Sequence, residues 1–494
     1  MLFTSFEFAF LFLPATLAGF VLLRGANYMA SVLWLVLASL FFYAFWNAAY
    51  LWLLIPSIVV NYFLGRWLNG LQAGLAKKFL LAAGIAANLG VLLYFKYAGF
   101  LAANLDFLLG TNSSLGAIVL PLGISFITFQ KIAYLVDAYR GQARDPSFIR
   151  FALFVSFFPQ LIAGPIVHHA EIMPQLVPSR LKGVRAATLA IGLCLFALGM
   201  FKKVILADGI APGANLAFAD AAKGIEPSLF AAWAGALAYT LQLYFDFSGY
   251  SDMACGLALL FGVKLPPNFY SPYKATGIID FWRRWHITLS RFLRDYLYIP
   301  LGGNRRGPAR RYVNILITMT LGGLWHGAGW TFVLWGLYHG LLLLLNHAWR
   351  EWTGNARRLP KSIAILITFL AVMFGWVLFR SETFGAAVLM FEALLHVGGG
   401  AAVDARTPSD LEWAKIIVLM AAVWLLPNTV QLLRRAFLLS DENTRRHLAE
   451  DGLRPAWRRL AWRPSLAWAA VAALCLALAL MPMRPRIEFL YFQF

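Results

Sequence analysis

The sequence predicts an all-α protein that crosses a membrane many times. Three observations carry this expectation. Apolar residues make up 61% of the 494 and charged residues only 13%, against about 25% charged in a soluble protein. Apolar runs of about 18 residues or more recur from end to end, each long enough to cross a hydrocarbon layer of roughly 30 Å. The short alternating segments of a transmembrane barrel are absent. The expected organisation is a single integral-membrane domain over 1–494.

The first apolar run, 6–23, follows no basic stretch and precedes no convincing small-residue cleavage site. It therefore reads as a retained first span within 5–23 and not as a signal peptide. The following candidates are 29–47, 49–65, 79–96, 113–137, 150–166, 186–206, 228–247, 249–263, 312–325, 329–349, 361–380, 383–397, 414–433 and 464–482. Roughly 11 to 13 of the candidates should cross the bilayer, the rest being re-entrant. No internal repeat is visible. Basic connections fall at Arg66/Lys77/Lys78, Arg180/Lys182/Arg185, 274–311, 350–361 and 434–463. Positive residues mark cytoplasmic loops, so both chain termini are expected on the outer side. The net charge of +19 reads as topology and contact with anionic lipid. Nucleic-acid binding fits poorly, because the basic residues lie between spans.

Two connections are not simple loops. Segment 434–463 carries eight arginines and four acids and reads as a charged cytoplasmic loop. Segment 274–311 contains FWRRWHITLSRFLRDYLYIPLGG. At about 100° per residue, Trp282, Trp285, Leu289, Phe292, Leu293 and Tyr296 share one face of a helix. Arg283, Arg284, Arg291 and Arg294 take the other. This predicts an amphipathic helix in the cytoplasmic membrane interface, with His286 on its inward, aromatic side. The terminal EFLYFQF reads as a native aromatic tail suited to the interface.

Ionisable groups at membrane depth are costly, so each is a candidate for function. The three cysteines, Cys194, Cys255 and Cys475, lie in apolar segments and read as small hydrophobes. Of eight histidines, His168, His169, His347, His396 and His447 fall at breaks, interfaces or charged loops. His326 is different. It stands in LGGLWHGAGW, where four glycines favour a broken helix and close approach of backbone or ligand. Either it faces a cavity, or it is a buried ring beside closely packed helices. His339, in WGLYHG, lies 13 residues on, nearly on the opposite face of one continuous helix. The two share a site only if the helix breaks between them. Asp246, Ser248, Tyr250 and Asp252 form a polar notch in LQLYFDFSGYSDMACG, suited to lining a cavity or capping a following helix. Asp280 opens the amphipathic segment, where an acid favours a helix N-terminus.

Several chemistries lack their motif. There is no phosphate-binding GxxxxGK[ST] loop, no GxSxG elbow and no metal-ligand spacing. No soluble-acyltransferase His-x4-Asp pattern occurs, since His447 and Asp451 are one residue too close. Phe281 stands where the glycosyltransferase QxxRW pattern has Gln. No bound metal or cofactor is expected.

NFYSPYKATGIIDFWRRWHITLSRFLRDYLYIPLGGNR at 268–305 and LGGLWHGAGWTFVLWGLYHG at 321–340 resemble the membrane-bound O-acyltransferase family. Its bacterial polysaccharide branch, which includes alginate O-acetylation proteins, is the most similar. MLFTSFEFAFLFLP, FPQLIAGPI and YFDFSGYSDMACG add to the likeness, which covers nearly the whole chain. The resemblance implies a ring of tilted helices around a central tunnel, in a bacterial inner membrane. It implies that His326 matches the near-invariant family histidine, and that His286 matches a position that is Asn in many eukaryotic members. Trp285, Trp325, Gly327, Asp246, Tyr250, Asp252, Asp280 and His339 are the candidates to line the tunnel.

The expected reaction moves an acetyl group from acetyl-CoA, or another acyl thioester, across the membrane. The acceptor is an exported polysaccharide, foremost alginate, reached through a periplasmic acetyl-carrying partner. Peptidoglycan and cellulose acetylation use similar subunits, and D-alanylation of teichoic acid a related one. A neutral imidazole suits proton abstraction from a hydroxyl, so His326 is the expected general base and His286 its assistant. A transient acyl-histidine is the alternative. Glycine-rich backbone beside His326 offers N–H donors to an oxyanion. Arg283, Arg284, Arg305 and Arg306 would attract an anionic donor. Two other classes remain: a transporter or flippase with gating histidines, and a non-catalytic subunit of a polysaccharide synthase.

Overall fold

The computed structural model describes every residue except 113–115, 117, 182–184, 355–358, 397–406, 438–454, 482–489 and 491–494. Most of the charged stretch 434–463, including His447, and all of the aromatic tail but Leu490 lie outside the described residues. The described residues are predominantly helical and contain no strand. Among the described residues, six helical runs are long and apolar enough to cross a membrane. They are Glu7–Ala26, Ala48–Gly70, Leu75–Leu109, Ala186–Ala222, Trp330–Thr353 and Lys361–Arg380. Three shorter apolar helices accompany them: Tyr28–Ala44, Phe384–Leu395 and Leu466–Leu480.

Four segments differ from expectation. The candidate spans 228–247 and 249–263 form one helix, α1 (Leu229–Leu260), of 32 residues. At 1.5 Å per residue it is about 48 Å long. A single glycine costs only about 1 kcal/mol in a helix, so Gly249 does not stop it. Asp246, Tyr250 and Asp252 are therefore mid-helix and cap nothing. Among the described residues, candidate 113–137 is helical from Ile124 to Tyr139, and 150–166 holds a nine-residue helix, Phe148–Ser156, followed by a four-residue one, Phe158–Leu161.

The fourth difference lies in the amphipathic segment. The expected single helix is two short ones, α2 (Ile278–Trp282) and α3 (Ile287–Leu293), running into a π-helical turn at Arg294–Tyr298. His286 is the break, in left-handed backbone with φ 41°. The division of faces nonetheless survives. Trp282, Trp285, Leu289, Phe292 and Leu293 are buried, whereas Arg283 and Arg294 are exposed. Each short helix presents its own apolar side inward.

The chain forms two compact units. The first contains 1–200, 250–267 and 429–488. Its core is rich in phenylalanine: Phe8, Phe12 and Phe42 pack around Phe158 with ring centroids 5.2–6.1 Å apart. Asn61 and Asn88 exchange side-chain hydrogen bonds of 2.8 and 3.3 Å, which satisfies two amides buried between helices. The second unit contains 201–249, 268–428 and 489–494. Its centre is built from α2, α3 and three longer helices: α4 (Gly307–His326), α5 (Trp330–Thr353) and α6 (Lys361–Arg380).

Candidate active site

Helix α4 ends on His326 itself, and α5 starts at Trp330. Gly327 and Gly329 between them are extended, with φ −156° and −165°. This is the break that His326 and His339 needed. The neighbouring glycines let the two helices touch. A Cβ on Gly323 would stand 2.9 Å from Gly336 Cα, and one on Gly336 would stand 2.9 Å from Thr320 Cα. A Cβ on Gly327 would lie 2.6 Å from Cζ of Phe332. Gly329 gives its N–H to the Gly327 carbonyl at 3.0 Å. Tight packing thus accounts for Gly323, Gly327 and Gly336 without any substrate.

His326 is 5% exposed. Its ring sits edge-on to Trp325, Trp335 and Phe379 at centroid distances of 4.9, 5.1 and 5.3 Å. The His286 ring lies 6.5 Å away, centroid to centroid, and meets Phe247 at 4.8 Å. Forty residues separate the two histidines in sequence; α4 and the loop before α3 bring them to one place.

His286 is held by Asn268. The Asn268 side-chain oxygen accepts from Thr288 N at 3.3 Å and Thr288 Oγ1 at 3.0 Å, and stands 3.0 Å from His286 Nδ1. A backbone N–H can only donate, so the atom facing Thr288 is the amide oxygen. His286 Nδ1 then carries the hydrogen, and Nε2 keeps the lone pair of a neutral ring. Two backbone bonds fasten the same loop: Ile287 N to Asn268 O and Tyr270 N to Arg284 O, both 2.9 Å. Together they offset the left-handed residue, which costs roughly 1–2 kcal/mol.

His339 joins the cluster through Trp335, 4.9 Å away. It is fully buried, between Trp282 at 5.3 Å and Trp376 at 6.2 Å. Trp285 closes the far side, 4.8 Å from Trp376. The result is a buried, closely packed aromatic cluster containing three imidazoles.

A model of the membrane-bound O-acyltransferase (MBOAT) family matches residues 136–387. The chain belongs to this family. It is 44% identical over 427 residues to a peptidoglycan O-acetyltransferase of Helicobacter pylori, covering 81% of this chain and 80% of that protein. It is 42% identical over 443 residues to a protein of Azotobacter vinelandii named "Probable alginate O-acetylase AlgI", covering 87% and 84%. A teichoic acid D-alanyltransferase of Bacillus subtilis is 29% identical over 280 residues, covering 53% of this chain and 69% of that one. The protein is thus a multi-pass membrane O-acyltransferase, and all three imidazoles fall within the matched region of this MBOAT chain.

Other expected site residues have partners of their own. Asp246 belongs to the second unit, Tyr250 and Asp252 to the first. Asp252 accepts from Thr429 Oγ1 at 2.8 Å, and Tyr250 stacks on Phe3 at 4.9 Å. Asp280 accepts from Thr276 N at 3.1 Å and pairs with Arg284 at 2.8 Å, so both have a local structural task. Arg283, Arg305 and Arg306 are exposed. Sequence reading missed Asn268 and Trp335, and it missed Lys203. Lys203 is 5% exposed and pairs at 2.7 Å with both Asp208 and Asp246. Asp246 also accepts from the Leu490 backbone N–H at 3.1 Å. The sequence signal was available: a lysine and an aspartate inside the apolar run Ala186–Ala222 need partners at membrane depth.

Proposed function

We propose that this MBOAT enzyme moves acetyl groups across the membrane for O-acetylation of an exported polysaccharide, foremost alginate, through a periplasmic partner. His326 acts as general base and His286 assists. The observation that carries this reading is the buried pair of rings, 6.5 Å apart, one of them fixed in a single tautomer by Asn268. Transfer from a thioester to a hydroxyl requires a base near neutrality, a stabilised oxyanion and exclusion of water. A buried aromatic cluster supports the last of these. The donor in this reading is acetyl-CoA, arriving from the cytoplasm, where exposed Arg283, Arg305 and Arg306 would draw its phosphates. The acetyl group then leaves through a periplasmic acetyl-carrying partner.

The test is His326→Ala, purified in detergent and scored for acetyl transfer from acetyl-CoA. Loss of transfer with an unchanged melting temperature is expected. Retained transfer removes His326 from the role. The relative at 44% identity supports a second reading, with peptidoglycan as acceptor. Base-labile acetate measured in exopolysaccharide and in muropeptides of a deletion strain separates the two. Loss from muropeptides alone would favour the second.

A further inference from the structure

The aromatic cluster contains buried polar atoms that its packing leaves without hydrogen bonds. Neither nitrogen of His339 has a hydrogen-bond partner among the described residues, and the indole Nε1 atoms of Trp282 and Trp335 have none either. These three rings are buried, at 0, 9 and 1% exposure, and adjoin one another at 4.9–5.9 Å. Trp335 also contacts His326 at 5.1 Å. Buried polar groups are nearly always paired, and each orphan costs about 1–3 kcal/mol. Three in mutual contact, beside the general base, call for an occupant.

Their chemistry specifies that occupant. An indole N–H only donates, and a neutral imidazole supplies one donor and one acceptor. The set therefore offers three N–H hydrogens against one lone pair, with no counter-charge. Such a set suits an oxygen that accepts several hydrogen bonds and gains negative charge. Among the neighbouring glycines, Gly323 and Gly336 pack closely between helices, and the Gly329 N–H is already bonded.

We propose that Trp335, with Trp282 and His339, forms the donor set that receives the carbonyl oxygen of the transferred acyl group. This rests on the reading of His326 as general base. The acceptor hydroxyl oxygen bonds to the acyl carbon while its proton passes to His326. The carbonyl electron pair moves onto oxygen, where the N–H groups hold it. Collapse restores the carbonyl and breaks the carbon–sulfur bond. The departing thiolate takes the proton from the imidazolium.

Trp335→Phe and His339→Phe remove the donors and keep aromatic rings. The full-length variants are compared with wild type for consumption of acetyl-CoA and for acetyl transfer in membranes of the producing strain. Each should lower kcat by roughly 10²-fold, the cost of losing one oxyanion donor, with the KM for acetyl-CoA little changed. A merely structural role predicts otherwise, because deleting an orphaned buried polar group leaves stability equal or higher and the rate intact. Wild-type kcat in both variants, beside an inactive His326→Ala, overturns this proposal and leaves the functional reading standing. Activity in His326→Ala overturns that reading and this one with it. Should Trp335→Phe misfold, His339→Gln decides. It keeps an N–H donor and should exceed His339→Phe in rate; equal rates at the wild-type level refute the proposal.

Discussion

Replacing Asn268 with leucine tests the core of the site. The Asn268 side-chain oxygen receives three donors, Thr288 N, Thr288 Oγ1 and His286 Nδ1, at 3.0–3.3 Å. Asn268 and His286 are 2% and 0% exposed, so water does not readily replace the lost acceptor. Each net hydrogen bond contributes about 0.5–1.5 kcal/mol, and three give roughly 2–4 kcal/mol. The φ of 41° at His286 would then lose its support and relax. The tautomer loses its bias as well, so His286 no longer presents Nε2 reliably as its basic atom. Asn268→Leu should lower the melting temperature and reduce acetyl transfer at least tenfold, within the range general-base assistance commands. Asn268→Asp keeps an oxygen acceptor in the same place and should recover most of both. The measurements are thermal unfolding in detergent and initial rates with acetyl-CoA. Wild-type rates in Asn268→Leu would show that the tautomer argument is wrong. Equal losses in the leucine and aspartate variants would show that the side-chain amide, and not its acceptor oxygen, matters.

Three further outcomes follow from other parts of the molecule. Gly336→Ala places a methyl 2.9 Å from Thr320 Cα, against backbone that cannot turn aside; it should destabilise by about 1–3 kcal/mol, read as a lower unfolding midpoint. Lys203→Met leaves Asp208 and Asp246 without their cation and should destabilise by about 3–5 kcal/mol. The triple variant with Asp208→Asn and Asp246→Asn should regain much of this; no recovery would mean that the triad's charges are not what holds the site. Arg305→Gln with Arg306→Gln should raise the KM for acetyl-CoA and leave kcat unchanged, an effect that fades with added salt; an unchanged KM at low salt rules out the donor-attracting role.

The helical class and the membrane were legible because both follow from composition and run length. The arginine and aromatic faces of 278–296 were legible too, since period-3.6 patterning survives a break when each fragment buries its own apolar side. So was the need for an interruption between His326 and His339, which is an angular argument. What could not be read was non-local. Nothing in the sequence sets Asn268 apart; its bonds to His286 and Thr288 give it a task. Nothing in the sequence sets Trp335 apart either; its ring touches both His326 and His339 only in the folded chain. The union of 228–247 with 249–263 was missed because glycine, serine and two acids mimic a loop. In the folded chain Asp246 has a lysine and Asp252 a threonine, so the helix continues through them.

The left-handed backbone at His286 also restricts which amino acids can occupy that position over evolutionary time. Most side chains disfavour positive φ, whereas Asn, Asp and His are enriched there. Only Asn among these can donate a hydrogen bond without titrating near neutrality. The interchange of His and Asn that the family resemblance implies at this site therefore has a conformational origin as well as a chemical one. The main chain narrows the alphabet first, and chemistry chooses from what is left. A lineage that dispensed with the second imidazole would still be steered toward asparagine, and leucine or valine would be excluded before any substrate arrived.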